Sequence, residues 1–245
     1  MLDPPTLIII IILVFLAGAT QGLTGFGFGL VSVPIMIIFL PPIIVVPIVM
    51  VISTLLTLMI LFEARRWVEL RRILPLMAAA VAGMPFGTYL LKTLDISILK
   101  IVIGCVIVLF GVAFLKGYRR EVKNEKLAFA PIGFISGLLN GSTALSGPPV
   151  ILFFTNQGIE KRVFRANIVA FFTVLNLVTI PYFCFNGLIT LPIIKYSILL
   201  LPGMIAGAVL GIKLSHKVNE RVFRNIALII VTIAGIFSIA SGLRG

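Results

Sequence analysis

Apolar residues run through this chain in blocks far longer than a β-strand or an amphipathic surface helix requires. Six of them, residues 43–62, 73–91, 96–115, 167–185, 191–214 and 226–243, have about the 20 residues that a spanning helix needs, and none carries a charge near its middle. Lys195 lies close to one end of its block. Two further runs do not fit that mould. Residues 7–40 form a run of 34, which as one straight helix would extend about 51 Å against roughly 30 Å of hydrocarbon. It must be broken, tilted or folded back. The interruption is visible as Gly22, Gly25, Gly27 and Gly29, and a second one, 140–149, divides the run 127–155 with Asn140, Gly141, Ser142, Thr143, Ser146, Gly147 and two prolines.

Composition agrees with this pattern. Hydrophobic residues make up 60% of 245 and charged residues 11%, and the mean hydropathy is +1.22. A water-soluble domain cannot clothe itself in so few charges, so soluble enzymes, nucleic-acid binders and disordered scaffolds are excluded. The reading is an all-α polytopic membrane protein. Cys105 and Cys184 sit inside apolar runs as small hydrophobes, and neither a metal site nor a cofactor is expected. No signal-peptide pattern precedes the first run, which is read as retained structure.

The net charge of +12 bears on topology. If both broken runs enter the membrane and return on the same side, the loops of one face hold 16 Lys and Arg and those of the other hold four, Lys92, Lys100, Lys195 and Arg244. If both cross, the split is 11 to 9. The positive-inside rule selects re-entry, with both termini outside. The count decides the second run only, because no Lys or Arg precedes residue 7; whether the first is re-entrant or spanning stays open. The basic loops, including Arg65, Arg66, Arg71, Arg72 and Arg165, are then topology signals and anionic-lipid contacts, and Trp67 is an interface anchor.

An internal repeat supports the same plan. Gly18, Gly22 and Pro34 match Gly133, Gly137 and Pro149 at an offset of 115, and Gly83, Gly87 and Gly111 match Gly207, Gly211 and Gly235 at 124. The chain divides into 1–118 and 119–245. Each half holds one broken hairpin and three spans, so the halves have opposite orientation, as in inverted-repeat transporters. The spaced glycines of the last repeat, Gly203, Gly207 and Gly211, are assigned to close helix packing.

Polar groups inside hydrocarbon are costly unless they face protein, water or a ligand, so the two breaks predict a cavity. A new helix starts after each break, near 29–34 and 147–149, and offers unpaired N–H groups that suit an anion. Candidate binding groups are Gln21, Thr24, Gly25, Gly27, Ser32, Asn140, Gly141, Ser142, Thr143, Ser146 and Gly147, with Thr54, Thr57, Thr173 and Asn176 from flanking helices. No Asp or Glu lies in a spanning block, which leaves a cation without a counter-charge and favours an anionic solute.

On the paired Gly-rich segments ending in Pro34 and Pro148-Pro149, the stretch from Arg66-Trp67 to Leu74-Pro75, Gly83-x-x-x-Gly87 and Gly111, the chain resembles the sulfite exporter TauE/SafE family of membrane permeases. The resemblance covers nearly the whole chain and implies a bacterial or archaeal plasma-membrane permease for a small anion, often a sulfur oxyanion such as sulfite, a sulfonate or sulfoacetate. The second motif departs from the family's more glycine-rich pattern.

The expected function is a secondary transporter that binds a small oxyanion between the two hairpin tips and exposes it alternately. A passive anion channel of the same architecture is the alternative. An intramembrane hydrolase using Ser146 is set aside, since a hydrolase needs a positioned base and the only histidine, His216, belongs to a basic loop. Lipids and the solute are the expected partners; nucleic acid is not, and a repeat pair within one chain requires no oligomer.

Overall fold

Glycine and proline decide where the long apolar runs stop being helical. In the computed structural model, which describes residues 4–116, 125–155, 160–214 and 220–243, α1 (Pro4–Thr24) ends where Gly25 and Gly27 adopt φ of 86° and 107°, a left-handed conformation that glycine alone takes without a Cβ penalty. The helix restarts as α2 (Phe28–Phe39). Then follow α3 (Pro42–Ala64), a 3₁₀ turn (Arg65–Trp67), α4 (Leu70–Thr93) and α5 (Ile96–Leu115). In the second half α6 (Glu125–Thr143) breaks at Ala144 and restarts as α7 (Gly147–Thr155), followed by α8 (Lys161–Phe185), α9 (Leu191–Leu214) and α10 (Glu220–Leu243). Pro148 and Pro149 sit in the first turn of α7, where a missing N–H removes no helical bond. No strand occurs among the described residues. His216 and the basic residues Arg119, Arg120, Lys123, Lys217 and Arg244 lie outside them.

Six helices are long and apolar enough to cross a membrane: α1, α3 with its 3₁₀ turn, α4, α5, α8 and α9. Five of them coincide with blocks read from the pattern and α1 joins them, while the sixth block, 226–243, lies within the 24-residue α10. Large apolar side chains such as Phe62, Leu109, Phe185 and Phe237 are exposed on the outer surface, as lipid contact requires. Cys105 and Cys184 are free and exposed. Trp67 is 37% exposed, with the Arg162 guanidinium 5.5 Å above its ring.

Helix pairing is dominated by α4 with α6, α1 with α9 and α5 with α10, with α3 against α8 between them. Exchanging α1–α5 for α6–α10 maps this set onto itself. The first two pairs are glycine seams. A Cβ on Gly18 or Gly22 would press on the backbone of Met204 or Ala208, and one on Gly207 or Gly211 on that of Phe15 or Ala19. Gly133, Gly137 and Gly141 face Leu76, Ala80 and Met84 in the same way, and Gly83 and Gly87 face Phe134 and Leu138. Numbers rise together along both seams, so α1 runs with α9 and α6 with α4. By contrast Gly104 faces Gly235 and Gly242 faces Ser97, so α5 and α10 run oppositely.

The seam contacts recur at a spacing other than that of the glycines themselves. Gly18 with Met204 is equivalent to Gly137 with Ala80, and Gly22 with Ala208 to Gly141 with Met84, an offset of 119 in the hairpins and 124 in their partners, one helical turn from 115. At 119 the left-handed residues Gly25 and Ala144 coincide, as do Gln21 with Asn140 and Thr24 with Thr143. Glycines repeat every four residues along a seam, so a match displaced by one turn looks equally good in sequence.

Candidate functional site

The two breaks meet halfway along α3 and α8. Gly29 packs against the carbonyl of Ala144, a Cβ there lying 2.8 Å from that oxygen, and between the breaks is a cavity of about 40 Å³. On the scale of a single water this holds about three, or one compact oxyanion. Gln21, Gly27, Phe28, Gly29 and Leu30 line it from the first break and Ala144 to Pro148 from the second. Ser53 and Thr57 of α3 and Phe172 and Asn176 of α8 complete the wall with Ile151. None of these side chains is charged, so the electrostatics come from dipoles.

The dipoles favour an anion. Both α2 and α7 begin at the cavity wall, and a helix N-terminus carries a partial positive charge and unpaired donors. In α2 the N–H of Phe28 donates to Gln21 Oε1 at 3.1 Å, and Val31 N–H donates to Gly27 at 3.0 Å. The N–H groups of Gly29 and Leu30 between them have no acceptor among the described residues. Ser146, 6% exposed, precedes α7, and its hydroxyl has no partner among the described residues either.

A hydrogen-bonded chain ties the second hairpin to both central helices. Asn140 Nδ2 donates to Asn176 Oδ1 at 3.0 Å, and Asn140 Oδ1 accepts from the Thr179 hydroxyl at 2.8 Å. Asn176 Nδ2 donates to Ser53 Oγ at 3.2 Å, and that hydroxyl donates to the carbonyl of Met50. Asn140 is thus spent on protein partners, while Asn176 also faces the cavity.

Of the sequence candidates, Gln21, Gly27, Thr57, Ser146, Gly147 and Asn176 line the cavity; Thr24, Gly25, Ser32, Asn140, Gly141, Ser142, Thr143, Thr54 and Thr173 do not. The reason is local. Asn140 to Thr143 form the last turn of α6 rather than the break, and Ser142 and Thr143 donate to the carbonyls of Leu138 and Leu139, both at 2.7 Å. Ser32, Thr54 and Thr173 do the same to Phe28, Met50 and Val169. Thr24 closes its own turn through Phe26, and Gly141 is part of a packing seam. Ser53 and Thr179 were missed by the sequence reading. Their signal was available: Ser53 shares a helical face with Thr57, and Thr179 with Asn176, in the middle of apolar spans. No group of three or more metal-ligating side chains occurs among the described residues.

Comparison with known proteins agrees with this architecture. No solved structure matches the chain. A protein of Cupriavidus necator (strain H16), described as "Probable sulfite/organosulfonate exporter TauE", is 26% identical over 157 residues, covering 61% of this chain and 61% of that relative. The match therefore spans about three-fifths of the relative's length. The family model described as Sulfite exporter TauE/SafE matches residues 10–238, all the helices but the chain's first and last few residues. This multi-pass membrane protein belongs to the Sulfite exporter TauE/SafE family.

Proposed function

We propose that the chain is a secondary permease of the plasma membrane that carries a small sulfur-containing oxyanion, such as sulfite, a sulfonate or sulfoacetate, through the cavity between the two breaks. The carrying observation is the convergence there of two helix starts, with N–H groups at Gly29 and Leu30 and a hydroxyl at Ser146 that have no partner among the described residues, in a chamber without a carboxylate in its lining. Such a chamber stabilises negative charge and offers a sodium ion or an ammonium group nothing to pair with.

The architecture is two inverted repeats, 1–118 and 119–245, each a re-entrant hairpin followed by three spans. The directions of packing support this. If α3, α4, α5 and α8, α9, α10 alternate, and α5 opposes α10, then α1 runs with α3 and α6 with α8; in each half the intervening short helix must turn back. The symmetric helix pairing supports alternating access by rocking of one repeat on the other. A chamber of about 40 Å³ supports a carrier over an open pore, and conductance far above carrier turnover would reverse that choice.

The experiment is uptake of sulfite, sulfoacetate and taurine by proteoliposomes, with thermal unfolding of the purified protein in the same solutes. A ligand that binds the native state raises the melting temperature. Saturable flux with competing oxyanions is expected; flux of cations alone would overturn the reading.

A further inference from the structure

The break in the first hairpin brings two opposite helix ends to one place. The start of α2 is positive and suits an anion, but the end of α1 presents carbonyl oxygens and a partial negative charge beside it. The second hairpin closes with two backbone bonds of its own, Ala144 N–H to the carbonyl of Asn140 and Leu145 N–H to that of Leu139, at the left-handed Ala144. The first hairpin has only Gly25 N–H on Gln21. Its next carbonyl, Gly22, accepts instead from Arg165 Nη2 at 3.1 Å, across from α8.

Three basic residues near Arg165 have partners at the surface. Arg72 pairs with Glu69, and Arg65 and Arg162 lie over Phe62 and Trp67. Arg165 has no acidic partner among the described residues, its Nε is buried without a hydrogen bond, and its stem lies on Gly25, where a Cβ would come within 2.6 Å of Arg165 Cγ. Phe164 beside it meets Phe26, the centre of the break, edge to face at 6.5 Å.

We infer that Arg165 is a positioning and charge-selecting residue: it caps the carbonyl end of α1, so that the first hairpin tip is held in place and presents net positive potential to the cavity. This rests on the anion reading above and extends it to a residue outside the cavity wall. Lysine keeps the charge but loses the fork, glutamine keeps a donor but loses the charge, and methionine keeps the stem alone.

The test combines transport with a readout that needs no substrate. In a Cys105→Ala, Cys184→Ala background, Phe26→Cys reports tip opening by its rate of maleimide labelling. Arg165→Met should raise that rate about tenfold. In sulfoacetate and sulfite uptake, Arg165→Gln should raise KM about tenfold or more with a smaller loss of maximal rate, and Arg165→Lys should recover KM to within about threefold. Wild-type KM in Arg165→Gln, or equal defects in the Lys and Gln variants, would overturn the inference, as would unchanged Phe26→Cys labelling in Arg165→Met. Ser146→Ala measured alongside separates the two proposals. Loss in Ser146→Ala with a normal Arg165→Gln refutes the role of Arg165 and spares the cavity; a normal Ser146→Ala with a defective Arg165→Gln removes the Ser146 hydroxyl from the binding set and leaves the capping role of Arg165 standing.

Discussion

Two neighbouring polar side chains of the second hairpin should fail in opposite ways. Asn140 is 1% exposed and bonded to protein at both ends of its amide, whereas Ser146 lines the cavity and its hydroxyl has no partner among the described residues. Replacing Asn140 by Ala removes the donor to Asn176 Oδ1, and a buried acceptor left unpaired costs about 1–3 kcal/mol. Thr179 loses its bond to Asn140 but retains the carbonyl of Leu175 at 2.8 Å, so its share is small. With the lost packing, a total of about 2–3 kcal/mol is expected, or a fall of roughly 5–10 °C in the melting temperature of a chain this long. Ser146→Ala strands nothing and should change the ligand-free protein by less than about 0.5 kcal/mol. Its cost should appear with the anion. A hydrogen bond to a charged group is worth about 1.5–3 kcal/mol, which weakens binding roughly 10- to 100-fold. At a concentration near 100 times the wild-type Kd, ligand stabilisation should fall from about 2.7 kcal/mol to roughly 0.4–1.4 kcal/mol. The assay is thermal unfolding in detergent with and without oxyanion. Equal destabilisation of the two ligand-free variants, or full ligand stabilisation in Ser146→Ala, would refute the division into a structural amide and a binding hydroxyl.

Three further outcomes follow from the same geometry. Gly137→Val should destabilise by about 1–3 kcal/mol through overpacking against the backbone of Ala80, and a melting temperature within 1 °C or so of wild type would contradict the seam. Ala144→Gly should raise thermal stability by about 1 kcal/mol, because φ of 57° is unfavourable for alanine, while Gly25→Ala, at φ of 86° and against the Arg165 stem, should lower it; matching shifts of one sign in both would be inconsistent with left-handed backbone at the two breaks. No ionisable side chain lines the cavity, so binding of a permanently ionised sulfonate should be flat between about pH 6 and 8, and a binding isotherm that titrates in this interval would point to a charged residue in the pocket.

The amino-acid sequence alone determined that the chain is a helical membrane protein, that two of its apolar runs are interrupted, and that the interruptions carry polar groups into the apolar runs. Those conclusions depend on quantities that are local and additive: run length against bilayer thickness, the absence of carboxylates, the conformational freedom of glycine. The exact end of each interrupted helix was not legible, because Asn140 to Thr143 have the composition of a loop and remain helical once Ser142 and Thr143 bond backward to Leu138 and Leu139. Nor was the spacing of the seam contacts, since a four-residue glycine period matches itself when slipped by one turn and only the partner helices show the contacts recurring at 119 rather than 115. Tertiary structure also separated Asn176, which faces the cavity, from Asn140, which is consumed in holding α6 to α8, and moved Arg165 from a tally of basic loop residues to the carbonyl end of α1. Hydrogen bonds between residues 36 and 143 positions apart leave no periodic trace in one chain; they exist only when packing has brought the helices together.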